Sequence, residues 1–108
     1  MHYTHVHTPL RIGNQTIKNR IFRPAHGTIL GKGSMNDTLI AYHEARARGG
    51  AGLSIIEVGS VHPTSPLSID LWKPELEPGY RKLMDVCRKY DMKVYQQLWH
   101  AGHHAIPR

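Results

Sequence analysis

Three apolar runs along this chain end alike, in polar residues. Ile21-Phe22 leads through Pro24-Ala25 to His26, and Leu53-Ser54-Ile55-Ile56 leads to Glu57-Val58-Gly59. The third, opening at Lys93-Val94-Tyr95, passes through Gln96-Gln97-Leu98 to Trp99-His100-Ala101-Gly102. Short runs rich in β-branched and aromatic residues predict strands. Gln97 and His100 then stand where the sheet holding Val94 and Leu98 runs out. The first strand is expected over residues 19–22, ending or bulging at Pro24, which has no N–H for a ladder. The second is expected from Leu53 to Val58, apolar enough to be buried on both faces.

Helical patterns separate the runs. Asn36-Asp37-Thr38 offers N-cap candidates for a helix over residues 39–48, which Gly49-Gly50 closes. Two stripes have helical spacing there, Ala41/Ala45/Arg48 and Leu39/Tyr42/Arg46, and His43 reads as an ordinary surface position. Pro78 opens a second helix with an apolar stripe of Tyr80, Leu83, Met84 and Cys87. Before the first strand, Leu10-Arg11-Ile12 and Gln15-Thr16-Ile17 alternate around Gly13-Asn14, the signature of a hairpin. Such a hairpin would plug the N-terminal end of a barrel. The long connection of residues 62–73 is broken by Pro63 and Pro66 and reads as a loop at the functional rim. Gly31-Lys32-Gly33-Ser34 lacks the glycine order of a phosphate loop and reads as a flexible loop.

The order is therefore a hairpin followed by β-α-β-α-β, an α/β class. Right-handed crossovers make the three strands parallel and adjacent. In a parallel α/β barrel the chemistry sits at the C-terminal ends of the strands, where the loops converge. A closed barrel needs eight strands in about 250 residues, so 108 residues correspond to an N-terminal portion of a (β/α)8 barrel. Residues 1–108 form one incomplete domain on this reading, with open strand edges that invite self-association.

Composition changes this picture little. The formal charge is +6, from 14 Lys and Arg against 8 Asp and Glu. No basic run exceeds two residues and no aromatics interleave with them, which argues against nucleic acid. The single cysteine, Cys87, rules out an internal disulfide and reads as a small core residue. No apolar segment resembles a signal peptide or a membrane span, so a cytoplasmic protein with no membrane partner is expected. His2, His5 and His7 form a polar lead that reads as a solvated tail rather than a metal site.

With these residues laid out, the chain resembles the Old Yellow Enzyme family of NADH:flavin oxidoreductases, above all its 2,4-dienoyl-CoA reductase and trimethylamine dehydrogenase branch. The matching pieces are 9–13 with 18–21, then Pro24-Ala25-His26, then 46–53, then Gln97-Leu98-Trp99-His100-Ala101-Gly102. The resemblance implies a (β/α)8 barrel with FMN at its C-terminal mouth, reduced by NADH or NADPH. Hydride then passes to an activated alkene, such as an enone or dienoyl-CoA, as a small-molecule substrate. Carried over position by position, Pro24, Ala25 and His26 lie against the isoalloxazine ring, with His26 near O4 and N5. Val58 or Gly59 touches the ring through backbone, and Gln97 bonds its pyrimidine edge. An amide has both donors and an acceptor, so Gln97 suits that alternating edge. Thr28 and His100 are candidates for a supporting or substrate-facing role; Glu57 is expected to hydrogen-bond within the mouth.

The family's tyrosine proton donor, substrate-anchoring histidine pair and phosphate loops all lie beyond Arg108. No catalytic residue is therefore assigned within this chain, which alone is expected to be inactive. His103 stands where many relatives have arginine, putting that arginine's contacts in doubt. Two rival readings differ in class. A metal-dependent barrel hydrolase would use His5, His7, His26 and His100, and metal analysis would reveal it. A non-enzymatic fragment that oligomerises through its strand edges would show itself by sedimentation.

Overall fold

The computed structural model describes residues 3–106; His2 lies outside them. The expected hairpin forms between β1 (Leu10–Ile12) and β2 (Gln15–Ile17), with Gly13 at φ +60° in its turn. Ile17 is fully buried, and a Cβ added at Gly52 would lie 3.0 Å from its Cγ2. The hairpin thus packs against the entry end of the strand beginning at Leu53. His5 and His7 are exposed, within a turn tied down by the Arg20 N–H to the Val6 carbonyl at 2.8 Å. The lead is therefore anchored rather than loose.

The sheet is built around β4 (Leu53–Ser60). One edge pairs in parallel with β3 (Phe22–Arg23) at its start and with β5 (Ile69–Asp70) at its end. The other edge pairs in parallel with β6 (Lys93–Trp99). The three expected strands are thus parallel and adjacent, with three corrections. The first is only two residues long, because Asn19 bends the approach: its Oδ1 accepts the Ile21 N–H at 3.0 Å and its amide donates to the Gly50 carbonyl at 2.8 Å. The connection of residues 62–73 contains β5, whose two residues are too few to show a strand period. The Gly31–Ser34 stretch is bound into the sheet: the Gly33 N–H donates to Ser68 and its carbonyl accepts from Asp70, at 2.7 and 3.0 Å.

Helix α1 (Asp37–Arg48) and helix α2 (Glu77–Arg88) cover one face of the sheet. Asn36 caps α1 by accepting the Leu39 N–H at 2.9 Å. Neither predicted stripe of α1 is the buried one, which is Leu39, Ile40, His43 and Ala47. On α2, Leu83 and Cys87 are buried with Tyr80 and Val86 packed beside them. Met84 instead lines a surface groove of about 460 Å³ along β6, shared with Gln15, Met92 and Tyr95. Burial, with the Glu44 charge second, pushes the Cys87 thiol up to about 11, so it packs as a neutral apolar group.

The start of α2 touches the segment before α1 very closely. A Cβ at Gly79 would lie 2.2 Å from the Met35 carbonyl oxygen, which is backbone and cannot swing aside. Gly79→Ala is expected to destabilise the intact protein by about 1–3 kcal/mol, read as a lower denaturant midpoint with an unchanged slope. Among the described residues no helix is long and apolar enough to cross a membrane.

Candidate functional site

The rim is organised by a defect in β4. Ile56 pairs with Gln96 and Gly59 with Leu98, so three steps along β4 match two along β6. The extra residue is a β-bulge at Glu57-Val58, a device common beside active sites because it re-aims side chains. The neighbouring strand accommodates it directly. Gln96 donates its Nε2 to the Glu57 carbonyl at 2.9 Å and to the Gln97 carbonyl at 2.8 Å. On its other side Gln96 accepts the Tyr80 hydroxyl of α2 at 2.6 Å. Burial, with the Glu57 charge adding to it, raises the Tyr80 phenol well above its ordinary range, so it remains a donor.

Alternation along β6 follows from that contact. Gln96 turns to the helices, so Gln97 takes the opposite face, where it is exposed. No hydrogen bond holds its side-chain amide among the described residues.

The Glu57 side chain is the hub of the rim. It is 1% exposed and accepts from the Thr28 N–H at 3.1 Å, the Ile29 N–H at 2.9 Å, and the Thr28 and Ser68 hydroxyls. Burial alone would raise this carboxyl, but the Ser68, Thr28 and Ile29 hydrogen bonds outweigh it and hold it below its usual value. A buried carboxylate thus holds the loop after β3 against β4 and β5. Ile29 sits there at φ +59°, a conformation costly for a β-branched residue and sustained by its N–H bond to Glu57.

These contacts bring the predicted positions to one end of the sheet. Thr28 bonds β4 at the bulge, and His26, two residues earlier on the same loop, is exposed, as is Pro24; Ala25 is half-buried. Gln97 flanks the same bulge from β6. Thr28 has both its donors committed to Glu57, so it positions the loop. Val58 is half-buried. A Cβ at Gly59 would lie 2.3 Å from Leu71 Cδ1 and 2.7 Å from Gln96 Nε2, so packing within the chain already requires a glycine there. His100 is exposed. Its Nδ1 accepts the Gly102 N–H at 2.9 Å and its Nε2 lies 3.3 Å from Thr64 Oγ1. His103 is also exposed, its ring centroid 3.8 Å from that of His104.

His43 overturns its expected surface position. It is fully buried, with Nδ1 3.4 Å from Ser54 Oγ and no partner for Nε2. Burial, then the nearby Arg23 charge, lower it to about 4, so the ring is neutral at pH 7. Sequence reasoning also passed over Gln96, which shares its residue type with the more prominent Gln97, and the His62-Thr64 pair. The signal for Glu57 was legible: a lone carboxylate inside a run buried on both faces must find donors.

A parallel α/β wall with a bulged, polar C-terminal rim defines the class: the opening portion of a (β/α)8 barrel. Residues 5–107 match the NADH:flavin oxidoreductase / NADH oxidase family. The chain is 35% identical to an NADH oxidase of Thermoanaerobacter brockii over 98% of its own length and 17% of that protein's. Among solved structures it resembles a 2-naphthoyl-CoA reductase bound to 2-naphthoyl-CoA, with a TM-score of 0.83 and 26% identity over 96% of this chain and 17% of that one. It also resembles the old yellow enzyme of Trypanosoma cruzi, with a TM-score of 0.74 and 30% identity over 97% of this chain and 29% of that one. The chain belongs to the NADH:flavin oxidoreductase / NADH oxidase family. It spans 17% of the length of the relative first named.

Proposed function

We propose that this chain supplies the first wall of an FMN site in an NAD(P)H-linked oxidoreductase acting on an activated alkene such as an enone or dienoyl-CoA. The observation that supports this most is the bulge itself: Gln97 stands exposed beside it on β6, and Glu57 within it holds, through Thr28 and Ile29, the loop that carries the exposed His26. When bound, FMN would supply the redox chemistry, accepting hydride from NADH or NADPH and releasing it to an electron-poor carbon. The residues here suit such a ring. The Gln97 amide offers donors and an acceptor to an alternating hydrogen-bonding edge. His26, with Pro24 and Ala25, offers a flat, small-residue loop carrying an imidazole donor. Glu57 works indirectly, by fixing that loop through Thr28 and Ile29.

The rival metal hydrolase has no support from the family, and the described residues hold no group of three or more His, Cys, Asp or Glu side chains able to bind a metal. The visible spectrum of the intact protein tests the proposal: bound flavin is expected, and a colourless protein indifferent to added FMN would end it. Gln97→Leu is expected to weaken FMN binding about tenfold, the scale of one or two hydrogen bonds. Fluorescence titration of the apoprotein would measure that. The 108-residue chain by itself is expected to hold FMN poorly and to associate through the free edge of β6.

A further inference from the structure

Gln96 stands where the two parts of the proposed flavin wall meet. Its primary amide has two hydrogens to give, and both go to backbone carbonyls, Glu57 at 2.9 Å and Gln97 at 2.8 Å. The Glu57 carbonyl lies in the bulge, where the ladder between β4 and β6 is interrupted, and the side-chain amide supplies its donor. The carboxylate of that same Glu57 holds the loop carrying His26, through Thr28 and Ile29. One amide therefore ties the backbone of Gln97 to the residue that fixes the His26 loop.

The surroundings leave that amide a single orientation. Two carbonyls face its nitrogen, so a flipped amide would set oxygen against oxygen at both. Its Oε1 must then face α2, where the Tyr80 hydroxyl donates to it at 2.6 Å. Tyr80 is itself held in place. It packs against the buried core, and a Cβ at the neighbouring Gly79 would lie 2.2 Å from the Met35 carbonyl oxygen. Gly59 leaves room for the amide, since a Cβ there would come within 2.7 Å of Gln96 Nε2. A helix hydroxyl, a strand amide and a glycine on the next strand thus form one connected path to the rim. Linked hydrogen bonds polarise one another, so loss of the first weakens the two that follow it.

We infer that Tyr80 and Gln96 are positioning residues for Gln97. The Tyr80 hydroxyl orients the Gln96 amide, and that amide fixes the Gln97 backbone. The direction in which Gln97 presents its own amide to the pyrimidine edge of the flavin is set in this way. Neither residue acts by touching the cofactor, because Gln96 turns to α2 and Gln97 to the opposite face. This rests on the proposed reading of Gln97 and deepens it by naming what holds that residue.

The test is a double-mutant cycle in the intact protein, read as FMN affinity by fluorescence titration of the apoprotein. Tyr80→Phe deletes only the hydroxyl and is expected to weaken FMN binding about threefold. Gln96→Met keeps the length of the side chain with no hydrogen to give, and is expected to weaken binding about tenfold. In the Gln97→Leu background the effect of Tyr80→Phe should vanish and most of the Gln96→Met effect with it, because their route to the flavin is already cut. The visible bands of bound FMN, which sense hydrogen bonds at its pyrimidine edge, should move in Tyr80→Phe toward their position in Gln97→Leu. A general loss of packing would instead leave the bands in place and add in full to Gln97→Leu. Wild-type affinity in Tyr80→Phe, or full additivity of either substitution with Gln97→Leu, would overturn the inference. An intact protein without flavin, or Gln97→Leu binding FMN as tightly as wild type, would overturn the reading of Gln97 beneath it.

Discussion

Glu57→Ala is expected to lower the unfolding free energy of the intact protein by about 3–5 kcal/mol and to abolish FMN retention. The stability term follows from what the substitution strands. Glu57 accepts from two backbone N–H groups and two hydroxyls. Removing the carboxylate leaves these donors in a space closed to water, and an unsatisfied buried donor costs about 1–3 kcal/mol. The hydroxyls can rotate toward other partners, whereas the Thr28 and Ile29 amides cannot, which sets the range. The binding term follows from position. Without Glu57 nothing compensates the left-handed backbone at Ile29, and the loop presenting Pro24, Ala25 and His26 is released from β4. Ser68→Ala removes one of the four bonds and leaves the loop contacts, so it should cost only about 1 kcal/mol and keep the flavin. Denaturant unfolding and the visible spectrum measure the two effects separately. If Glu57→Ala retains flavin at wild-type affinity, the hub does not govern the rim.

The second large effect is on acid stability, through His43. Its folded-state value is lowered to about 4 from an ordinary 6.5, by burial first and then by Arg23, with Arg46 adding to and Glu57 opposing the shift. Between these values the unfolded chain binds a proton that the folded chain refuses. Stability therefore falls as pH drops from about 6.5 toward 4, and below that the loss is complete. At about 1.4 kcal/mol per pH unit the window is worth about 3 kcal/mol. His43→Leu keeps an apolar side chain of similar size and removes both the titration and the partnerless Nε2. Its unfolding free energy should be flat across that window while the wild type declines. The Glu57 carboxyl is also held below its usual value by its hydrogen bonds, so its contribution is lost as pH falls through its folded value, in both proteins alike. A wild-type stability independent of pH from 7 to 4 would show that His43 is not held neutral.

How much of this was legible depended on how local the cause was. The hairpin was readable to the residue, because alternation around Gly13-Asn14 fixes both register and turn without help from the rest of the chain. The cap was readable to within three candidates, Asn36, Asp37 and Thr38, of which Asn36 takes the role, and the closing Gly49-Gly50 was readable for the same reason. The position of His43 was not: α1 is amphipathic only weakly, and the face it buries is chosen by Ser54 and Ile56 on β4, residues far along the chain. The strand β5 escaped notice because two residues carry no periodicity. They pair only because β4 runs past its bulge and offers Gly59 and Ser60 as partners.

At the rim, the residue types and their order in the chain were set by sequence alone: three apolar runs, each delivering polar groups at its end, and four motifs in family order. Tertiary structure decided their geometry. It placed an extra residue in β4, turned Gln96 to α2 and Gln97 away from it, and committed Thr28 to Glu57. It also joined His62 to His100 across two loops that are remote in sequence. The physical reason is that backbone pattern is local and can be read from spacing. Which of two adjacent polar side chains finds a partner depends on donors and acceptors that only folding brings within about 3 Å.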